Sequence, residues 1–582
     1  MKSSRALLRL SKYVKRHQKV LVIGSLCIAA LQAVALLIPW LSKLAVDSIS
    51  RRADPGVLLR YALLIVAAAA VQGVFRFYMR KLMIGASREM EYELRNDLFA
   101  HLVRLSPSYF TRTKTGDIMA RATNDVNAVR ELLGPGIMYS INTVITFAAA
   151  TSLMLYIDPL LTACALLPIP ALALLVNRFG GLVRERFEQV QRQFSKLTAR
   201  VHENLSGIRI VKAYGNEEFE KEQFGKLNEE YISKNLGLVK IWGVFHPLIA
   251  LVGGLGAVIV LWIGGTEVVR GKISLGDFVA FSGYLAMLTW PAISLGWVVN
   301  LVQRGSASMQ RVAEILDEKP EISDVDALSI TKIAGEVEFK NVSFSYFEGG
   351  PAILKDVSFK LPRGRKVAVV GRTGSGKSTL INLLPRLFDP TSGEILIDGV
   401  DARKIPLHVL RTRIGYVPQE SFLFSDTIRE NIAYGRPSAR DEEIAEVTVM
   451  SRMTEEVEEF GEKFDTLIGE RGITLSGGQK QRTAISRAVI INPAILLLDD
   501  AFSSVDAATE REILRRLRDR LGDRTWIIVS HRISSINEAD EIIVLENGRI
   551  AERGSHAELL RTGRLYKELY RRQQLTEELE TD

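Results

Sequence analysis

The sequence predicts a multi-domain chain: a six-span α-helical transmembrane domain with long cytoplasmic helical extensions, followed by an α/β domain built around a phosphate-binding loop. Three observations predict this. Six apolar runs, each long enough to cross a bilayer at about 20 residues, fill the first half of the 582 residues, and nothing comparable follows residue 302. From residue 335 onward, short strand-like runs alternate with helical patterns, the mark of a largely parallel sheet covered by helices. A glycine-rich loop lies between one such strand and one such helix. The 47% hydrophobic and 24% charged content averages a greasy part and a soluble part.

The apolar runs are residues 20–41, 57–78, 134–157, 160–179, 241–265 and 278–302. Before the first come Lys2, Arg5, Arg9, Lys12, Lys15, Arg16 and Lys19 with no acid, which places the N-terminus in the cytoplasm. The connections agree: 79–133 and 180–240 hold 9 and 11 Lys plus Arg, whereas 42–56, 158–159 and 266–277 hold 3, 0 and 2. The net charge of +8 therefore reflects membrane topology, and no nucleic-acid partner is expected. The first run is too long for a removed signal peptide and lacks its small-residue cleavage site. Cys27 and Cys164 fall inside spans, leaving neither a disulfide framework nor a metal spacing.

Spans three and four are joined by little more than Asp158 and Pro159, a tight hairpin. The two cytoplasmic connections are rich in helix formers, and if half of each runs out and half returns they project about 40 Å. Their tips carry turn residues, Ser106-Pro107 and Lys114-Thr115-Gly116-Asp117 in one and Tyr214-Gly215-Asn216 in the other. Residues 1–310 form the expected membrane domain, 311–335 a polar linker and 336–575 the α/β domain. Strands are expected at 337–339, 342–346, 367–370, 395–397, 495–498 and 526–529.

The loop reads Gly371-Arg372-Thr373-Gly374-Ser375-Gly376-Lys377-Ser378-Thr379. Its glycines let backbone N–H groups curl around a polyphosphate, the helix start adds positive potential, Lys377 can reach the outer phosphates and Ser378 can ligate Mg²⁺. The bare pattern arises by chance in roughly a few per cent of chains this long, so its neighbours decide. An apolar run, Ile495-Leu496-Leu497-Leu498, ends in Asp499 and Asp500. That puts two acids at the carboxyl edge of the sheet, where Asp499 can hold Mg²⁺ and Asp500 can orient or deprotonate an attacking water. A second glycine turn, Leu475-Ser476-Gly477-Gly478-Gln479, opens another helix and makes a second anion cradle.

At these residues the chain resembles the ATP-binding cassette family, as a half-transporter of the multidrug exporter type. The resemblance runs from about residue 7 to about 570 and assigns Walker A to Gly371 through Thr379, the signature to Leu475 through Gln479, and Walker B to the strand ending at Asp499 and Asp500. It adds Gln419 as the Q-loop residue and a metal ligand, a D-loop at Ser503 to Asp506, and His531 as the switch histidine. Tyr346 matches the aromatic that stacks on adenine. Thr115-Gly116-Asp117 and Thr123-Asn124-Asp125-Val126 in the first extension also match. The resemblance implies ATP and Mg²⁺ as cofactors and a second half-transporter chain as partner, with each ATP held between one chain's Walker A and the other's signature. It makes the tips coupling helices and Thr466 to Gly472 a loop that senses them. It implies ATP-driven export of a small hydrophobic or amphiphilic substrate, drug or lipid, by a multi-pass protein of the cytoplasmic membrane in contact with its lipid, the ATP-binding domain lying in the cytoplasm.

One position departs from the family. Glu normally follows Walker B, and here it is Asp500, shorter by one methylene. A displacement of about 1 Å can cost roughly a hundredfold in rate. The chain thus resembles the slow half of heterodimeric exporters. A mainly regulatory ATP-binding subunit and a homodimeric lipid or peptide exporter are the alternatives. In the sixth span Tyr284, Met287, Trp290, Trp297, Asn300 and Gln303 are candidates to line a substrate cavity, against plain helix packing.

Overall fold

The computed structural model describes residues 2–52, 54–324, 326–347, 349–469, 472, 474–530, 532–537 and 539–581. It divides into two units, Met1–Val103 with Thr115–Glu318, and Arg104–Lys114 with Lys319–Asp582.

The first unit is helical. Among the described residues, five of its helices are long and apolar enough to span a membrane: Gln18–Ser50, Pro55–Leu102, Thr115–Ile157, Glu217–Val269 and Leu275–Asp317. The fourth expected run is helical but divided, into Pro159–Leu166 and Pro168–Ser206. Pro168 has no N–H to continue the ladder, and Leu167 becomes a turn. Six expected spans thus appear as five uninterrupted helices and one divided run. Asp54 and Asp158, each followed by a proline suited to a first helical turn, accept hydrogen bonds from Gly56 N at 3.3 Å and Leu161 N at 2.6 Å. Ser274 and Asp277 form a reciprocal capping box that starts Leu275–Asp317.

Pro55–Leu102 has 48 residues, about 70 Å at 1.5 Å per residue. A hydrocarbon core is about 30 Å thick, so more than half of the helix lies in the extension. Leu26, Leu63, Val66, Val144, Leu261 and Trp262 are exposed along the apolar segments, as lipid-facing positions should be. Leu36, Met154, Leu161, Val260, Phe281 and Tyr284 are buried in one cluster inside the unit. Tyr284, a candidate cavity residue, is fully buried with its hydroxyl donating to the Leu36 carbonyl at 3.1 Å, and so packs helices together. In the extensions Asp125 accepts from Ser308 Oγ and Arg311 Nε, both at 2.8 Å. These bonds fall on the last turns of Leu275–Asp317, which runs helically to Asp317, past residue 310 where the linker is expected to begin.

Among the described residues, the second unit holds ten strands in two sheets. In the first, β2 (Leu354–Leu361), β1 (Val337–Phe344), β4 (Ser392–Ile397) and β5 (Val400–Asp401) lie in that order, all antiparallel. The second has the order β10 (Arg549–Gly554), β9 (Glu541–Glu546), β3 (Lys366–Gly371), β8 (Thr525–Val529), β7 (Ile495–Asp499) and β6 (Ile414–Val417). It is parallel except at β10. Alternate residues serve alternate faces. Ile495 and Leu497 join the core shared with the first sheet, whereas Leu496 and Leu498 join a helical core with Ile485, Ile513 and Leu517. The expected strands are present, the first two merged into β1 around a bulge.

Arg104–Lys114, the tip of the first extension, belongs to this unit. Its short helix Pro107–Arg112 is held by Ser106, which accepts from Ile322 N at 3.1 Å, and by Arg112, which pairs with Glu321 at 2.9 Å. The other tip is Ile208–Tyr214, ended by Gly215 at φ 63° in the left-handed region.

Candidate nucleotide-binding site

β3 delivers the chain to Gly371, the loop turns, and a helix begins at Lys377 (Lys377–Leu383). Gly376 has φ 101°, and a Cβ there would sit 2.9 Å from Leu354 Cδ2 and 3.2 Å from the Ile353 carbonyl. Only glycine fits this turn. Lys377 is buried, its ammonium donating to the carbonyls of Gly371 at 2.8 Å and Arg372 at 3.0 Å. Burial pushes its pKa down, opposed by Asp499 and Asp500. The Ser375 hydroxyl is buried without a hydrogen-bond partner among the described residues, the kind of orphan a phosphate oxygen satisfies.

Ser378 Oγ donates to Asp499 Oδ1 at 3.1 Å, joining loop and strand end. Asp499 is 2% exposed. Burial raises its pKa, the Ser378 hydrogen bond opposes this, Asp500 raises it further and Lys377 lowers it. A buried carboxylate whose charge is disfavoured, bonded to one hydroxyl, suits a small hard cation completed by phosphate oxygens and water. The residues present therefore fit Mg²⁺, Ser378 and Asp499 being the ones to hold it.

Asp500 leaves β7 at φ 50°, its N–H donating to the Val529 carbonyl at 2.9 Å. Aspartate is among the residues that tolerate this left-handed region. Val417 of β6 pairs with Leu498 of β7. Gln419 is exposed in the bend two residues beyond β6. Tyr346 is half-buried against Phe344 and Phe388, and its hydroxyl lies 3.0 Å from Thr379 Oγ1. Thr373 and Gly374 are exposed on the loop. The structure thus gathers Tyr346, the loop, Asp499 and Asp500 around one strand end. His531 lies outside the described residues.

The signature stands apart from this constellation. Ser476 caps the helix Gly477–Val489, accepting from Gln479 N at 3.2 Å while Gln479 Oε1 accepts from Ser476 N at 2.8 Å. Leu475 is buried beneath it, Gly478 is half-buried, and Ser476 and Gly477 are exposed. Gln481 on that helix was not singled out by the sequence reading. Its Nε2 donates to Ser503 Oγ at 2.7 Å and its Oε1 accepts from Ser504 N at 2.9 Å, so it ties signature helix to D-loop. Arg532 grips the same loop, donating to the carbonyls of Val505 and Ser503 and to buried Glu510. The available signal was their place beside motif residues, Gln481 two after Gln479 and Arg532 next to His531.

The model of the ABC transporter transmembrane region matches residues 21–292, and that of the ABC transporter matches 354–503. The probable multidrug resistance ABC transporter ATP-binding/permease protein YheI of Bacillus subtilis is 36% identical over 570 residues, 97% of each chain. The chain belongs to the ABC transporter family. This ABC transporter fuses transmembrane and ATP-binding parts in one polypeptide and is a multi-pass membrane protein. It is also 36% identical to the multidrug resistance-like ATP-binding protein MdlA of Escherichia coli, over 97% of this chain and 96% of that one. It is 34% identical to an ATP-dependent lipid A-core flippase of Syntrophus aciditrophicus, over 96% and 93% of the two chains. A bacterial Atm1-family ABC exporter with ATP bound superposes with a TM-score of 0.78 at 31% identity, covering 96% of this chain and 98% of that one.

Proposed function

We propose that the chain exports a hydrophobic or amphiphilic compound of drug or lipid class as one half of a two-chain ATPase, and that its own ATP site is the slow one of a heterodimer. Relatives named for multidrug resistance and for lipid A-core flipping support the class. Within the site Tyr346 stacks on the base and the backbone of Gly371 to Gly376 cradles the phosphates. Lys377 turns from the Gly371 and Arg372 carbonyls to the outer phosphates. Ser378 and Asp499, with Gln419 as the family resemblance adds, would hold Mg²⁺, which when bound would neutralise charge on the phosphates. His531 and Gln419 assist Asp500 in orienting the attacking water. The Leu475 to Gln479 turn, exposed at Ser476 and Gly477, completes the partner's site.

Asp500 carries the heterodimer reading. It stands at the end of β7 beside buried Asp499, where one methylene fewer than glutamate withdraws the carboxylate from the γ-phosphate by about 1 Å, a shift worth roughly a hundredfold in rate. ATPase measured on the purified chain alone, then on the chain co-purified with a half-transporter carrying Glu at that position, tests it. Slow turnover alone and brisk turnover together are expected. Brisk turnover by the isolated chain would overturn the reading.

A further inference from the structure

We infer that the transmembrane cavity accepts an anionic amphiphile, its acidic head group lying between Arg76 and Arg80. This deepens the export reading and rests on it. Three adjoining recesses open on the surface of the first unit. One of about 450 Å³ is lined by Arg80, Arg130, Tyr139, Trp297, Asn300 and Arg304 among others. A second of about 280 Å³ includes Gln32, Arg76, Arg80, Asn142, Met287 and Trp290. A third of about 500 Å³ follows Arg76, Phe77, Arg80 and Lys81 along one helix. Arg80 lines all three, and the volumes suit a small-molecule ligand.

The walls carry five cations and one carboxylate, Glu131. Glu131 is already taken, pairing with Arg304 and, at 3.5 Å, with Arg130, which also faces Glu91 at 3.6 Å. Lys81 sits over the Phe77 ring. Arg76 and Arg80, one helical turn apart on the same face, have no ion pair among the described residues. Arg76 is 21 residues beyond Pro55, about 32 Å of helix, which sets the pair at the edge of the hydrocarbon on the side of the extensions.

Arginines at that depth commonly snorkel to bulk lipid head groups. These two are exposed, but the 280 Å³ recess that both line also takes in Asn142 and Trp290 from two other helices, so they open on a cleft between helices. An unpaired guanidinium in such a setting is costly, and its planar fork suits a phosphate or carboxylate. Trp290, Trp297 and Tyr139 offer the apolar body its wall, with Tyr139 and Trp297 already edge to face at 4.9 Å.

The test uses the full chain in phosphatidylcholine nanodiscs, with tryptophan emission reporting titrations of dodecyl phosphate, dodecyltrimethylammonium and inorganic phosphate. Dodecyl phosphate should bind at least about tenfold more tightly than either of the others, one strong charge-assisted contact's worth. The Arg76→Gln/Arg80→Gln variant should lose that preference and Arg76→Lys/Arg80→Lys should keep most of it. Equal or tighter binding of the trimethylammonium probe overturns the inference. So does a preference that survives the glutamine pair, or inorganic phosphate matching the amphiphile, which would mark a simple anion site. ATP binding measured on the same samples separates the two readings: intact ATP binding with a cationic preference sinks the anion and leaves export standing.

Discussion

The cassette presents two glycine turns that open helices, and they are finished in opposite ways. At Gly376 the turn is packed against Ile353 and Leu354, Lys377 is buried and bonded to its own loop, and Ser378 is tied to Asp499. At Ser476 the turn is exposed and its polar groups are satisfied by a capping box with Gln479. The first turn has acids, a lysine and an orphaned hydroxyl converging on it. The second has only a helix start pointing outward, which is half of an anion site and needs phosphates brought by another chain. On the proposed reading, one is organised to hold a nucleotide and the other to close over one.

Removing Lys377 should separate the two turns most sharply. Lys377→Ala deletes the buried cation beside Asp499 and Asp500 and the contacts it would make with the outer phosphates. Buried charge contacts of this kind are worth several kcal/mol, so ATP affinity of the chain should fall by about a hundredfold or more. Equilibrium binding of a fluorescent ATP analogue reads it. The signature should be untouched: a Glu-bearing partner's site should still hydrolyse ATP in the mixed dimer.

Asp500→Glu is expected to act next most strongly and in the opposite direction. It restores the missing methylene, and turnover at this chain's site should rise by about ten- to a hundredfold, read as ATPase of the isolated chain. The gain should stop short of the upper figure, because position 500 sits at φ 50°, where aspartate is better tolerated than glutamate. An unchanged rate would mean that something other than carboxylate reach limits this site.

Much of this architecture is legible in the sequence, for reasons that differ between the units. The phosphate loop could be read because its parts lie within nine residues and each residue type has one physical use. Strands β3, β7 and β8 could be read as short unbroken apolar runs, since both of their faces are covered. β2, with Lys355, Asp356 and Lys360 on its outer face, and the four-residue β6, with Gly415 inside it, are too polar or too short to stand out. The antiparallel sheet that β2 helps define, and the β6 edge of the parallel sheet, were therefore invisible. The division at Leu167 was written in Pro168 and Pro170, but mean hydropathy over the run hides it. Gln481 and Arg532 were illegible as D-loop partners because Ser503 and Ser504 lie more than twenty residues from either, brought close only by the fold.

The smallest expected effect is the one that tests the outward-facing turn. Ser476→Ala removes the hydroxyl that accepts from Gln479 N and leaves the other half of the capping box. Loss of such a cap costs about 1 kcal/mol, enough to shift the cassette's urea midpoint slightly while leaving the fold intact. Because Ser476 is absent from the Tyr346, Lys377 and Asp499 constellation, ATP affinity of the isolated chain should not move. Turnover of the mixed dimer should fall about tenfold, since the same hydroxyl would donate to the partner's nucleotide, an interaction worth about 1.4 kcal/mol. A drop in the isolated chain's own ATP affinity would break the comparison, placing both turns on one nucleotide. A fall in dimer turnover alone would sharpen it, assigning the buried turn to this chain's ATP and the exposed turn to its partner's.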